Sequence, residues 1–147
     1  MLVTANDMNS LITDIWSALF GSAIMPAPVT PFDGRVIAAT VNLRGDVDTT
    51  VLLRCDIALA RRMAATMFRL DEDDLSSEDL QDTIGEIANI VAGNVKTLLG
   101  GDCRLTIPVV SDGLDPGVHR EDRHIVQDDH FDSDGGHLAV TSTHHNT

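Results

Sequence analysis

The chain has 147 residues and a formal charge of −13, from 10 basic and 23 acidic side chains. This length allows one domain with a hydrophobic core, and a hydrophobic content of 43% excludes a chain that is disordered throughout. The negative charge repels phosphate backbones and anionic lipids, so we expect neither nucleic acid nor a membrane surface as a partner.

The first half of the chain predicts one helix followed by a β-hairpin. Apolar residues recur at a helical interval over 7–20, and the next segment, GSAIMPAPVTPFDG, breaks any helix with three prolines and a glycine at each end. Two β-branched runs then follow, RVIAATVNL and VDTTVLLRC, joined at RGD. They predict two paired strands.

Two helices are predicted after the hairpin. Asp56 is a typical N-cap for a helix over 57–70. Its expected buried stripe consists of Leu59, Met63, Met67 and Leu70. An acidic loop precedes the second helix, for which Ser76 and Asp79 predict a capping box and Gly100-Gly101 predicts the end.

Three strands are predicted in the last third of the chain. CRLTIPVV is the first, with Pro108 at an edge or at the strand end, and the loop SDGLDPGVHRED follows it. HIVQDDHF and GHLAVTST predict a hairpin around DSDGG. We expect one α/β domain of the α+β type over 1–143, with two long helices on a mainly antiparallel sheet, and a frayed tail over 144–147. The predicted order is helix-strand-strand-helix-helix-strand-strand-strand.

The second long helix carries residues that a purely structural helix avoids. Its segment GEIANIVAGNVK has glycines at 85 and 93 and asparagines at 89 and 94. A glycine inside a helix costs about 1 kcal/mol relative to alanine, and asparagine is also a weak helix former. The expected core stripe consists of Ile84, Ile87, Val91, Val95 and Leu98. Gly85, Ala88 and Ala92 form a shoulder of small residues beside it, suited to close packing.

The opposite side of this helix is polar. At about 100° per residue, five residues fall within a sector of about 80°. They are Asp82, Glu86, Asn89, Gly93 and Lys96. Glu86 and Asn89 are three positions apart, so their side chains project side by side, and Gly93 leaves the adjoining surface without bulk. Geometry alone leaves two interpretations open: an ordinary solvated helix face, or a face that enters a pocket of another protein.

The segment DTIGEIANIVAGNVKTLL resembles the signature helix of the CheX/CheC/FliY family of chemotaxis phosphatases, most closely its CheX branch. The family pattern is Asp or Ser, three residues, Glu, two residues, Asn, and later a Pro. Asp82, Glu86, Asn89 and Pro108 fit this pattern. The hairpin followed by DIALARRMAATMF and the late strands extend the resemblance over nearly the whole chain.

The resemblance implies a phosphatase for the aspartyl-phosphate of a CheY-like response-regulator receiver. It implies that Asn89 orients the attacking water and that Glu86 pairs with a lysine of the receiver. Asp82, Gly93 and Lys96 would contact the same partner. The chain itself would bind no cofactor, since the receiver supplies Mg²⁺. A non-catalytic adaptor or phosphate-signal sink that docks the receiver through the same face is the alternative.

Family members of the CheX type also resemble one another in forming homodimers, which we therefore expect. Related CheC-like and FliY-like members often carry the motif twice. Here the first helix, MNSLITDIWSALFG, has no Glu followed by an Asn three residues later, so we expect one site per chain.

The histidines and cysteines suggest no other site. All six histidines fall in the last 29 residues, near Asp128, Asp129, Asp132 and Asp134, but their spacings match no zinc pattern. We interpret them as parts of solvated loops and strand edges, and Cys55 as a small packed residue instead of a nucleophile. No basic leader and no apolar run of about 20 residues is present, so we expect a cytoplasmic protein.

Overall fold

Three helices and seven strands form the part of the chain that a computed structural model describes, residues 3–46, 48–117 and 124–145, with the side chains of residues 124 and 125 outside the description. The helices are α1 (Ala5–Phe20), α2 (Ile57–Phe68) and α3 (Ser77–Leu98), with a 3₁₀ turn at Glu72–Asp74. The strands are β1 (Met25–Ala27), β2 (Val36–Gly45), β3 (Asp48–Asp56), β4 (Cys103–Leu105), β5 (Val109–Gly113), β6 (His124–Ser133) and β7 (Gly136–His145).

The strands form one antiparallel sheet in the order β1-β6-β7-β3-β2-β4, and β5 also pairs with β2. The two predicted hairpins, β2–β3 and β6–β7, are confirmed and pair side by side at its centre. The mixed fold with helices on an antiparallel sheet is therefore confirmed.

The two faces of the sheet differ in what covers them. Side chains alternate between the faces along each strand, and those that join the core cluster define the helix face, which packs against the three helices. Its members are Ile37, Ala39, Val41, Leu43, Val51, Leu53, Cys55, Leu138 and Val140. The other side, here called the outer face, includes the cross-strand row Ala38, Arg54, Ala139 and His130.

The edges of the sheet depart from the predicted strands. β1 was not predicted, because Pro26 occupies its centre and its three residues pair only with β6. CRLTIPVV forms two short strands instead of one, β4 and β5, both beside β2. Between β4 and β5, Thr106 exchanges hydrogen bonds with Asn42 of β2. Pro108 has no N–H with which to continue the strand pairing. The predicted position of Pro108 at a strand end is confirmed.

The α2 helix ends earlier than predicted. Arg69 takes the left-handed conformation with φ 55° and closes the helix after Phe68. Leu59 and Met63 are buried, Met67 is half-buried, and Leu70 lies beyond the helix with 42% of its surface exposed. The inclusion of Leu70 in the buried stripe is therefore wrong. The predicted Asp56 cap is confirmed, since its carboxylate accepts a hydrogen bond from the Leu59 amide at 2.8 Å.

The expected frayed tail is wrong for His144 and His145. Both belong to β7 and pair with β3 and β6, and His144 is fully buried with Nδ1 2.9 Å from Oγ1 of Thr49. Residues 146 and 147 lie outside the described residues. Val47 and residues 118–123 of the predicted loop, which include His119, also lie outside the described residues.

The Asp- and His-rich segment is not mainly solvated, which corrects a second expectation. Asp129, His130 and His144 are buried in β6 and β7, because these strands lie inside the sheet and both faces are covered there. The pattern of alternating polar residues resembles a solvated hairpin in sequence. In the fold, however, the Asp128 carboxylate lies 3.1 Å from Nε2 of His130, and Asp129 accepts a hydrogen bond from the Gln127 amide.

The cysteines are free and differ in exposure. Cys55 is fully buried on the helix face, which confirms it as a packed residue, and Cys103 on β4 is half-buried. Burial raises the pKa of the Cys55 thiol well above its usual value, and the nearby Asp56 carboxylate acts in the same direction. Within the described ranges, no helix has the length and apolar character needed to cross a membrane.

Candidate functional site

The α3 helix begins at a complete capping box. Ser76 accepts a hydrogen bond from the Asp79 amide at 3.1 Å, and the Asp79 carboxylate accepts one from the Ser76 amide at 2.9 Å. Two backbone donors at the start of the helix are thereby satisfied, as the sequence predicted. The cap fixes where α3 starts.

The core stripe of α3 holds the helix on the sheet. Ile84, Ile87, Val91 and Val95 have no exposed surface, whereas Leu98 at the end of the helix is only half-buried. They pack against the helix face of β2 and β3. Burying such a side chain contributes about 1.5–3 kcal/mol, so four of them leave the helix little freedom to rotate.

The opposite side of α3 lies in solvent. Asp82, Glu86 and Asn89 are exposed, and Gly93 and Lys96 are half-buried on the same side. This arrangement agrees with the helical periodicity of the sequence. The acidic residues lie in the first half of the helix and Lys96 in its last turn, an order that also complements the helix dipole.

The two asparagines of α3 differ in their partners. Asn94 donates a hydrogen bond from Nδ2 to the Ile90 carbonyl at 2.8 Å, so its amide is occupied by its own helix. Among the residues that the structure describes, neither Asn89 nor Glu86 has a hydrogen bond or ion pair through its side chain. The carboxamide of Asn89 and the carboxylate of Glu86 are therefore available to another molecule.

The two interior glycines also differ. A methyl group at Gly85 would lie 3.4 Å from Cγ2 of Val110 and 3.9 Å from Cβ of Pro108, so this side of α3 packs closely on the segment that enters β5. A methyl group at Gly93 would have no heavy atom within 4 Å. The fold brings the later proline of the sequence pattern against α3, and it places no packing demand on Gly93.

The described residues contain no group of three or more His, Cys, Asp or Glu side chains placed to hold a metal ion. The resemblance assigns the Mg²⁺ to the receiver, and this expectation stays a prediction.

The family model described as chemotaxis phosphatase CheX matches residues 37–127 of the chain. This range is more than half of the chain and contains all of α3. The chain belongs to this family. No curated protein matches the sequence. The CheX family is thus the one that the residues of α3 indicate, although no comparison assigns a role to Glu86 or Asn89 of this chain.

Solved structures share the CheX fold at low sequence identity. The chemotaxis protein CheX from Vibrio vulnificus is 18% identical with a TM-score of 0.79, and the alignment covers 95% of this chain and 94% of that one. A CheC-like superfamily protein from Shewanella sp. PV-4 is 15% identical with a TM-score of 0.81, over 99% and 100% of the two chains. The structure of a CheX-CheY-BeF3-Mg complex from Borrelia burgdorferi is 18% identical with a TM-score of 0.75, over 99% and 100%.

One feature of the site was missed from the sequence, the contact between α3 and the segment at Pro108 and Val110. The family pattern contains the proline, and the shoulder of small residues indicates close packing, but neither says which strand packs there. Gly85 is the residue that joins the two observations, since its side of α3 faces both Val110 and Pro108.

Proposed function

We propose that this chain is a phosphatase that accelerates hydrolysis of the aspartyl-phosphate of a CheY-like receiver, with Glu86 and Asn89 entering the receiver's active site. The observation that carries the proposal is the exposed pair on α3, whose side chains have no partner among the described residues. Membership of the CheX family supports it. A related protein of this fold has been solved with CheY, beryllium fluoride and magnesium.

The chemistry needs little more than a well-placed water. An acyl phosphate is already reactive, and catalysis of phosphoryl transfer depends largely on position and charge. The Asn89 carboxamide can accept a hydrogen bond from a water and donate one to a phosphoryl oxygen. It does not titrate, so it orients the water and does not act as a general base. No covalent intermediate on this chain is required.

Glu86 has a different task in this proposal. Its carboxylate pairs with a lysine at the receiver's active site and fixes the docked position, so that Asn89 reaches the phosphate. The Mg²⁺ that neutralises phosphoryl oxygens is held by the receiver and not by this chain.

Asp82, Gly93 and Lys96 surround the pair and make the contact surface. Gly93 lies one turn beyond Asn89, and the open space beside it admits the rim of the partner's cleft. Asp82 lies before the pair and Lys96 after it, so they place opposite charges along the exposed side of α3.

The test is phosphate release from a phosphorylated CheY-like receiver with Mg²⁺, measured with and without this chain. The native chain is expected to accelerate the release. Asn89→Ala is expected to reduce the acceleration by about 100-fold, since a mispositioned reactant costs a factor of this size. Binding of the receiver should persist, because Glu86 is intact. Glu86→Ala is expected to weaken both binding and acceleration.

Matched variants control for general effects. Asn94→Ala removes an asparagine from the same helix that is already bonded to its own backbone, and Glu72→Ala removes an exposed glutamate before α3. Both should keep the native acceleration. Binding without any acceleration by the native chain would establish the adaptor interpretation instead. Neither binding nor acceleration across the host's receivers would contradict the proposal.

We further propose that the chain forms a homodimer, as the family resemblance implies. Sedimentation equilibrium of the full chain at neutral pH measures this directly. A species of one chain mass over the micromolar range would contradict it, and would leave the proposed chemistry unaffected because each chain carries one complete pair.

A further inference from the structure

Residues 28–35, here called the strap, cross the outer face of the sheet, on the side away from α3. They contain no helix or strand, and Phe32 is the only one of these residues that is not exposed. β1 precedes the strap and pairs with β6, and at the other end Arg35 forms a two-point ion pair with Asp112 at 2.6 and 2.7 Å. Phe32 is thus the anchor in the middle of the strap.

The anchor rests on a histidine. The rings of Phe32 and His137 stack with centroids 3.8 Å apart and an interplanar angle of 12°. The guanidinium of Arg54 lies 5.3 Å from the centre of the Phe32 ring. What fixes His137 therefore fixes the strap.

His137 belongs to a buried chain of titratable groups. Its Nε2 lies 2.7 Å from Nδ1 of His130, and Nε2 of His130 lies 3.1 Å from the Asp128 carboxylate. Asp128 also accepts a hydrogen bond from Thr141 at 2.8 Å. The His130 and Asp128 side chains are only 2% and 10% exposed, so water cannot replace these contacts at low cost.

The hydrogen bond between the two imidazoles limits how many protons the pair can hold. Because the Asp128 carboxylate accepts from Nε2 of His130, Nδ1 of the neutral His130 ring accepts from His137. One added proton preserves this bond, since one of the two facing nitrogens still lacks a hydrogen. A second added proton places an N–H on both nitrogens across 2.7 Å, and the contact becomes repulsive.

The surrounding charges set the same limit. The Arg54 side chain is 5% exposed and forms ion pairs with two carboxylates. Asp115 lies on the loop after β5, and Asp128 lies on β6. One imidazolium together with Arg54 balances these two carboxylates, and a second imidazolium leaves the buried cluster with excess positive charge. Burial lowers the pKa of His137, and His130 and Arg54 lower it further, whereas Asp56 and Asp115 act in the opposite direction.

A cavity of about 530 Å³ adjoins the stack and provides room for His137 to move. Phe32 and His137 line it, together with the carboxylates of Asp33, Asp56 and Asp132. Both oxygens of the Asp56 carboxylate accept hydrogen bonds, from the amides of Leu59 and His137, whereas Asp132 accepts one long bond through one oxygen, from the Gly135 amide at 3.4 Å. Asp33 and Asp132 are therefore the partners for a displaced imidazolium. A charged His137 that turns toward them abandons Phe32.

We infer that the His130–His137 pair is a pH-dependent latch for the strap. While the pair holds no more than one added proton, His137 stacks on Phe32 and the strap lies on the sheet. The second proton separates the rings and releases the strap, which opens the outer face and leaves the helices and the Glu86–Asn89 face in place. The latch does not depend on the proposed phosphatase function.

Aromatic NMR of the full chain between pH 8 and 5 tests this inference. The chain has four Phe, one Trp and no Tyr, so the Phe32 ring signals are resolvable. In the native chain these signals are expected to lose the ring-current shift from His137 with a midpoint below 6.5, changing by no more than about tenfold in population per pH unit. The indole signals of Trp16, which is buried on the core side of α1, should not change over the same range.

Two variants locate the titrating group. His137→Phe keeps a flat ring beneath Phe32 and removes the titration, so the Phe32 signals should become independent of pH. His145→Gln alters another outer-face histidine and should leave the native profile. The inference is overturned if native Phe32 signals do not change, if they change together with Trp16, or if the change survives in His137→Phe.

If His137→Phe does not fold, the pH dependence of the imidazole nitrogen signals in the native chain tests the inference. His137 and Phe32 are then expected to shift with one midpoint. Two separate midpoints would overturn the inference.

Discussion

Pro108 lies against Gly85 on α3, where a methyl group would come within 3.9 Å of the proline Cβ. This contact joins the functional helix to the segment that enters β5. The surroundings of the two glycines of α3 therefore differ, since a methyl group at Gly85 would contact another part of the chain and one at Gly93 would have no heavy atom within 4 Å. Substitutions at these two positions should therefore have different consequences.

We expect Gly93→Ala to stabilise the chain and to impair its proposed activity. An alanine in a helix interior is favoured over glycine by about 1 kcal/mol, and nothing within 4 Å opposes the new methyl group. The same methyl group would obstruct a docked receiver and raise the KM for its dephosphorylation. Urea unfolding and phosphate release measure the two effects.

Gly85→Ala is the matched control for this prediction. Its methyl group would make an ordinary contact with Val110 at 3.4 Å, so it should also stabilise α3 while leaving the KM unchanged. Equal KM values for the native chain and Gly93→Ala would remove Gly93 from the contact surface.

Arg54→Ala is expected to destabilise the chain by about 3–5 kcal/mol, because it leaves the buried Asp128 carboxylate and its neighbour Asp115 without their cation. Arg35→Ala is the comparison, since the Arg35–Asp112 pair is largely in solvent on the arginine side and should contribute little. Chemical denaturation of both variants at pH 7.5 measures the difference. Similar midpoints for the two variants would contradict the prediction.

The stability of the chain should fall as pH decreases below 6.5, partly through His144. Burial lowers the pKa of His144 from its ordinary 6.5, so between the folded and unfolded values the unfolded chain binds a proton that the folded chain does not. Stability is then fully present above 6.5 and is lost as pH falls toward the folded value. Urea midpoints at pH 7.5, 6.5 and 5.5 should show this slope, and His144→Gln should reduce it. An unchanged slope in the variant would exclude His144 as a cause.

Asp129→Asn should stabilise the chain at neutral pH by about 1 kcal/mol. Asp129 is buried, one of its oxygens has no partner among the described residues, and burial raises the pKa of its carboxyl. The folded chain thus disfavours the charged form, and this cost grows as pH rises through the folded value. An asparagine keeps an oxygen for the Gln127 amide, which now bonds Asp129 at 2.9 Å, and removes the charge. A lower denaturation midpoint than native at pH 7.5 would show that the carboxylate has a further favourable partner.

The helices and the two hairpins were predictable because their local patterns are strong. The Asp56 cap and the Ser76 capping box mark helix starts, and the β-branched runs on both sides of RGD mark paired strands. The exposed side of α3 follows from helical periodicity alone, so the positions of Glu86 and Asn89 on the surface could be predicted. Their chemical roles rest on resemblance and stay predictions.

The buried network on the outer face could not be predicted in the same way. Arg54, Asp128 and His137 come from different strands, and each looks like a solvated side chain within its own segment. Only the register of β3, β7 and β6 brings them together. β1 escaped prediction for a related reason, since its three residues acquire strand geometry from pairing with β6 and not from their own composition.

Because Cys55 is buried, the rate at which its thiol is alkylated reports how often the folded chain opens. With its thiol inside the core and held in the unreactive protonated form, an alkylating reagent can reach Sγ only when a molecule opens. The half-buried Cys103 would be modified first, so mass spectrometry separates the two additions. The slow second addition would count opening events in native buffer without denaturant.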